Sequence, residues 1–150
     1  MTKVKDFCKL THHEPLIVRE YTPLNEVVDA IIKNPTKRLV YVLDSEDKLV
    51  GVIRFCDILK MYDARMGEID ISDHAKILDA LRLIEAKVAK DLMKSPISVT
   101  MEDDFVKALN LMVKYHLEEI PIVEEGKIVE SINVIDLIIE SKKLSAEKKV

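Results

Sequence analysis

The apolar positions of this chain switch period in a fixed order, and they do so twice. Leu16-Ile17-Val18 is a short apolar run that predicts a strand. Val27, Val28, Ile31 and Ile32 then fall at helical spacing, with Pro23 near the start and Asn34-Pro35 as the stop. Arg38–Leu43 and Leu49–Ile53 read as two strands around the polar turn Asp44-Ser45-Glu46-Asp47, and a helix over Phe55–Asp63 leaves the second strand directly. The succession returns with Ile97-Ser98-Val99. Val106, Leu109, Met112 and Val113 follow on a helix with Asp103 and Asp104 near its N-terminus, where acidic groups suit the dipole. Strands over Ile120–Val123 and Lys127–Ile132 and a helix over Val134–Lys142 complete it. Each copy predicts β-α-β-β-α.

The side chains repeat as well as the pattern. Val18-Arg19-Glu20-Tyr21-Thr22-Pro23-Leu24 lies in register with Val99-Thr100-Met101-Glu102-Asp103-Asp104-Phe105, 99 − 18 = 81 residues on. The same register carries Leu39-Val40-Tyr41-Val42 onto Ile120-Pro121-Ile122-Val123. Beyond the turn the separation is 136 − 57 = 79, which places Leu49–Asp57 on Ile128–Asp136 and assigns the difference of two residues to the turn. Turns tolerate insertion, so a difference confined there fits an internal duplication. Val4-Lys5-Asp6-Phe7-Cys8 echoes Ala89-Lys90-Asp91-Leu92-Met93 ahead of each copy. Met66–Ile71 reads as a loop. Ser72 reads as the N-cap of a helix from Asp73 to about Val88, with Ile77, Leu78, Leu81, Ile84 and Val88 on one face packed against the rest. The expected division is a first repeat over 4–62, a linker loop and helix over 63–87, a second repeat over 88–142 and a charged tail over 143–150.

Composition narrows the class. Of 150 residues, 48% are hydrophobic and 33% charged, the profile of a globular protein and not of a disordered one. A unit of about 60 residues is marginal alone, so the two copies are expected to share a core. No apolar stretch approaches the ~20 residues of a membrane span, and Met1–Asp6 has no signal-peptide run. Cys8 and Cys56 are too few for a disulfide framework, and a cytoplasmic protein is expected. A net charge of −4, with no basic cluster interleaved with aromatics, argues against a nucleic-acid partner. His12-His13-Glu14 has no further ligand at metal spacing, and His116 suits a helix end better than a ligand role. No nucleophile stands with a histidine and a carboxylate, and the three glycines form no phosphate loop, so no enzyme is expected.

In chain order, twice, the Val/Ala-Lys-Asp-Phe/Leu-Cys/Met lead-in, Val18–Leu24, Glu119-Ile120-Pro121-Ile122-Val123, and the segments Gly51–Asp57 and Glu130–Asp136 resemble a known family. It is the tandem cystathionine-β-synthase (CBS) domain pair, or Bateman module, whose end motif reads Gly-apolar-apolar-Thr/Ser-x-x-Asp. The resemblance covers 4–62 and 88–142. It implies an α/β fold of two pseudo-symmetric β-α-β-β-α repeats packed through their sheets, with two inter-repeat clefts for adenosine-type ligands and a homodimeric assembly. The ligand positions it implies are Ile17, Val18, Arg38, Val40, Arg54 and Asp57 in the first copy, and Ser98, Val99, Pro121, Ile122, Asn133 and Asp136 in the second.

A carboxylate on the first turn of a helix can accept both hydroxyls of a ribose, beside backbone N–H groups that favour phosphate. Asp57 and Asp136 both match that position; each also suits a plain capping role. Where the motif has Thr or Ser, the chain has Arg54 and Asn133. Arg54 offers either a charge-assisted phosphate contact or a solvated strand-end charge. Gly51 opens the first motif and Glu130 the second, where a side chain would crowd a ligand. The resemblance implies a basic residue for phosphate at the position of Arg38, while Glu118 and Glu119 bring the wrong sign to the matching stretch; each is equally an ordinary surface charge. The charge difference predicts that the Asp57 cleft prefers the more phosphorylated ligand.

The function expected is a stand-alone regulatory protein that binds AMP, ADP, ATP or S-adenosylmethionine as a regulatory ligand, without a resident cofactor, and signals to a partner protein. The alternative is a ligand-free dimerisation or docking scaffold that uses the helix near 73–88. A homodimer is expected in either case, through apolar helix faces that include Val27, Ile31, Leu109 and Met112.

Overall fold

The two lead-in segments that echo each other determine how the chain divides. The computed structural model describes residues 2–8 and 14–148; His12 and His13 lie outside them. The N-terminal lead-in forms a one-turn helix, α1 (Val4–Phe7). The first copy follows as β1 (Leu16–Arg19), α2 (Leu24–Lys33), β2 (Leu39–Leu43), β3 (Leu49–Arg54) and α3 (Phe55–Met66). After α4 (His74–Glu85), the second lead-in forms α5 (Ala89–Leu92). The second copy comprises α6 (Phe105–Lys114), β4 (Glu119–Glu124), β5 (Lys127–Asn133) and α7 (Val134–Lys148).

Each lead-in docks on the other copy, through the same backbone hydrogen bonds. The N–H groups of Ala89 and Lys90 donate to the carbonyls of Thr22 and Glu20, and Leu24 N–H donates to Lys87 O, at 2.8–2.9 Å. Correspondingly, Val4 and Lys5 donate to Asp103 and Met101, and Phe105 donates to Thr2, at 2.8–3.0 Å. The compact units are therefore Leu16–Pro96, and Met1–Pro15 with Ile97–Val150. The sequence repeats and the spatial units are not the same residues.

Each unit has its own cluster of buried apolar residues. Val18, Val27, Val40, Val42, Ile53, Met61, Leu83, Ala89 and Leu92 are among those that close the first unit. Val4, Phe7, Val99, Phe105, Met112, Ile120, Ile122, Ile132 and Leu137 are among those that close the second, with the Phe7 and Phe105 rings edge to face. Each lead-in contributes apolar side chains that its host copy lacks. Val27 and Met112, expected on a dimerising face, are buried in these cores. The apolar residues left exposed include Ile32, Leu59, Val113, Ile135 and Ile138.

In the first unit β1 runs parallel to β2 and β2 antiparallel to β3, in that order across the sheet. In the second, β4 and β5 are antiparallel, and the expected strand at 97–99 is a single parallel bridge of Val99 to Ile122. Pairing corrects the alignment of the copies. Val40 faces Ile53 as Ile120 faces Ile132, so β2 matches β4 at 120 − 40 = 80, not 81. Pro121 thus matches Tyr41 and not Val40, Leu39 matches Glu119, and Arg38 matches Glu118. The turns differ by one residue, since Asp44 to Lys48 spans 48 − 44 = 4 steps and Glu124 to Lys127 spans 127 − 124 = 3. The other missing residue is taken up after α6. There His116 adopts φ 53°, Leu117 N–H bonds to Met112 O at 2.9 Å, and His116 N–H bonds to Val113 O, a Schellman end that turns the chain sharply. The expected helix-end role of His116 is a backbone one.

Three boundaries move for local reasons. The N-cap of α4 is Asp73 and not Ser72; its carboxylate accepts from Ala75 and Lys76 N–H. That helix stops at Glu85 because Lys87 and Val88 are extended against Pro23 and Leu24. Its packing face is Leu83 with partly buried Ile77 and Ile84, while Leu78 and Leu81 remain exposed. Burying a leucine such as Leu83 is worth ~1.5–3 kcal/mol. The last helix continues through Lys148, where a charged tail from 143 was expected.

Gly51 is required by packing. A Cβ there would lie 2.4 Å from Met93 Sδ and 2.7 Å from its Cβ and Cγ. Gly51→Ala is expected to destabilise the protein by about 1–3 kcal/mol through overpacking, read as a lower urea midpoint with an unchanged slope.

Candidate functional site

Asp57 and Asp136 are the buried carboxylates at the first turns of α3 and α7. Asp57 Oδ2 accepts the backbone N–H of Arg54 at 2.9 Å, and Asp136 Oδ2 accepts that of Asn133 at the same distance. Asn133 returns the contact, its Oδ1 accepting Asp136 N–H at 3.0 Å. Capping is thus present in both copies. An exposed aspartate would cap equally well, and burying a carboxylate costs free energy unless it is well partnered.

The first-copy candidates gather at one end of the three-stranded sheet. Leu39, next to Arg38, pairs with Arg54, and Leu16, next to Ile17, pairs with Val40. Val18 and Val40 are buried and Ile17 is exposed. Arg38 donates through Nη1 to Pro35 O and Lys37 O, at 3.1 and 2.9 Å, and so braces its own loop. In the second unit Val99, Pro121 and Ile122 are buried and Ser98 is exposed. Glu119, weighed above as a surface charge, is buried at the sheet end and accepts from Ser131 Oγ at 3.0 Å. Glu130 occupies the position that Gly51 holds in the first hairpin, opposite Ile122 as Gly51 is opposite Val42.

The cation that meets Asp57 is neither arginine. Lys94 Nζ lies 3.1 Å from Asp57 Oδ1; the lysine side chain is 52% exposed and the aspartate side chain 3%. The backbone of Lys94 forms a two-bond bridge with Val52, each N–H donating to the other's carbonyl at 2.9 Å, and Met93 packs over Gly51. Just upstream, Asp91 caps α5 by accepting from Lys87 and Val88 N–H, and these two bonds, that of Lys87 first, hold its carboxyl below the usual range. Sequence reasoning did not single out Lys94. Its only signal was position, directly after the repeated lead-in, where the N-terminal copy has Lys9. Among the described residues no group of His, Cys, Asp and Glu side chains is placed to hold a metal, and no helix is long and apolar enough to cross a membrane.

Two related α/β units with a buried aspartate at matched helix starts define the class as a tandem domain pair. The CBS-domain family profile matches residues 4–64 and 88–143, and the chain belongs to that family as a Bateman module. A CBS domain-containing protein from Thermotoga maritima is 34% identical, with a TM-score of 0.76 and 95% of each chain covered. A CBS domain protein from Pyrobaculum aerophilum, complexed with AMP, superposes with a TM-score of 0.69 at 20% identity over 96% of this chain and 98% of that one. A CBS domain pair in complex with 5′-methylthioadenosine and S-adenosyl-L-methionine gives 0.66 at 20% identity, with 99% of both chains covered. A search of curated protein sequences found no match.

Because Asp57 caps α3, its removal has a structural cost. Asp57→Ala is expected to lose about 0.5–2 kcal/mol in urea unfolding, and Asp57→Asn much less, since an amide oxygen still accepts the Arg54 N–H.

Proposed function

We propose that this protein is a regulatory CBS pair that binds an adenosine-type ligand at Asp57 and Asp136 and passes the change to a partner protein. The observation that carries this reading is the pair of buried carboxylates at equivalent helix starts, each oriented by the N–H three residues earlier. A ribose diol supplies the hydroxyl donors that such a carboxylate takes, and the α3 and α7 N-termini favour phosphate nearby. The ligands named for the Pyrobaculum protein and for the second domain pair are of this class. The output is limited by the difference in ligand affinity between the two states of the module. A docking use has its own support in Leu78 and Leu81, exposed on α4, a helix with no counterpart among the described residues ahead of the first copy.

Unfolding in the presence of AMP, ADP, ATP, adenosine or S-adenosylmethionine tests the reading. A true ligand at 100 times its Kd adds about 2.7 kcal/mol of stability. No stabilisation by any of the five would leave the docking scaffold as the better account.

The same proposal includes a homodimer. Ile135, Ile138 and Ile139 on α7 and Val113 on α6 are exposed, beside an apolar groove lined by Leu109, Met112, Leu117 and Leu137. Contiguous apolar surface of this kind marks an interface. Light scattering at micromolar concentration is expected to give twice the chain mass of 17.2 kDa. A stable mass of one chain would refute it.

A further inference from the structure

We propose that Lys94 sets the charge of the ligand that Asp57 admits, selecting a phosphorylated nucleoside over an uncharged or cationic one. The inference rests on the reading of Asp57 as a ribose acceptor. It replaces Arg38 and Arg54 by Lys94 as the cation that acts there.

A carboxylate offers about four lone-pair sites. At Asp57 one on Oδ2 holds the Arg54 N–H and one on Oδ1 holds the Lys94 ammonium, at 2.9 and 3.1 Å. Two remain, which is the number a ribose diol needs, so the ligand and Lys94 occupy the carboxylate together. The ammonium has three donors, and two stay available for the ligand.

Charge decides which ligand benefits. A buried carboxylate alone repels a nucleotide whose phosphate comes within about 6 Å. Lys94 neutralises that carboxylate and presents a cation beside it. An uncharged nucleoside gains little from the change, and the sulfonium and ammonium groups of S-adenosylmethionine are repelled by it. The position of the lysine is built in. Its backbone is fixed on Val52 by two hydrogen bonds of 2.9 Å, and Met93 beside it is seated against Gly51, while the half-exposed side chain keeps its freedom to turn towards a phosphate. The other basic groups of this sheet end are placed differently. The Arg38 guanidinium binds the carbonyls of its own loop, and Arg54 meets Asp57 through its backbone N–H.

The test is an NMR titration of the whole chain with AMP, adenosine and S-adenosylmethionine, read at the amides of Arg54 and Asp57, which report the first site alone. In the native chain AMP is expected to bind at least about tenfold more tightly than either of the others, equivalent to about 1.4 kcal/mol. Lys94→Arg keeps the preference, and Lys94→Met reduces it to within about threefold. Lys94→Gln serves if the methionine variant does not fold. An AMP preference that is absent in the native chain, or that survives loss of the lysine charge, overturns the role of Lys94 and leaves adenosine-type binding standing. No response at these amides to any of the three ligands, in the native chain or the variants, overturns both.

Discussion

The rest of this structure depends on one reciprocal set of main-chain hydrogen bonds. Lys87–Lys90 pairs with Glu20–Leu24, and Thr2–Lys5 pairs with Met101–Phe105, residue for equivalent residue. Each lead-in brings an apolar pair, Ala89 and Leu92 or Val4 and Phe7, into the core of the copy it docks on. A β-α-β-β-α unit of this size buries too little surface to stand easily alone. The exchanged segment supplies the missing core, and in the first unit it also stops α4 at Glu85 by drawing Lys87 and Val88 into extended pairing.

The same docking shapes the candidate site. Because α5 is pinned on the first copy, the chain that leaves it runs along the edge of β3. It bridges Val52 through Lys94 and seats Met93 where only a glycine fits. The motif glycine is thereby explained by packing, without any ligand. Asp57 ends with three roles in one carboxylate: the cap of α3, the partner of Lys94, and under the proposed function the acceptor of a ribose. Asp136 shares the cap, with Asn133 answering it from the other side. The charges that Arg38 and Glu119 bring are engaged within their own copies. Arg38 binds its own loop, and Glu119 is held inside with Ser131.

Much of the fold was legible in the chain. Val27, Ile31, Leu109 and Met112 at helical spacing, and the short runs around Asp44–Asp47 and Glu124–Gly126, marked helices and strands that all form. The repeated Asp57 and Asp136 marked the two helix starts. The alignment of β2 with β4 was read one residue out, because alternating aliphatic side chains look alike at either register and only cross-strand pairing separates them. The short turn at His116 gave no warning, since a left-handed histidine at a helix end has no strong sequence signature.

The sequence by itself therefore determined the order of elements, their duplication and the family, all of which are written in local periodicity and in motifs a few residues long. Tertiary structure alone decided which lead-in serves which copy, that the apolar residues close two cores, and that Lys94 meets Asp57. These are contacts across long stretches of chain: Lys94 follows Asp57 by 94 − 57 = 37 residues, and Lys5 reaches Met101 from 101 − 5 = 96 residues away. No local period encodes such a contact; it exists only once the hydrogen bonds of the docked backbone hold both partners in place.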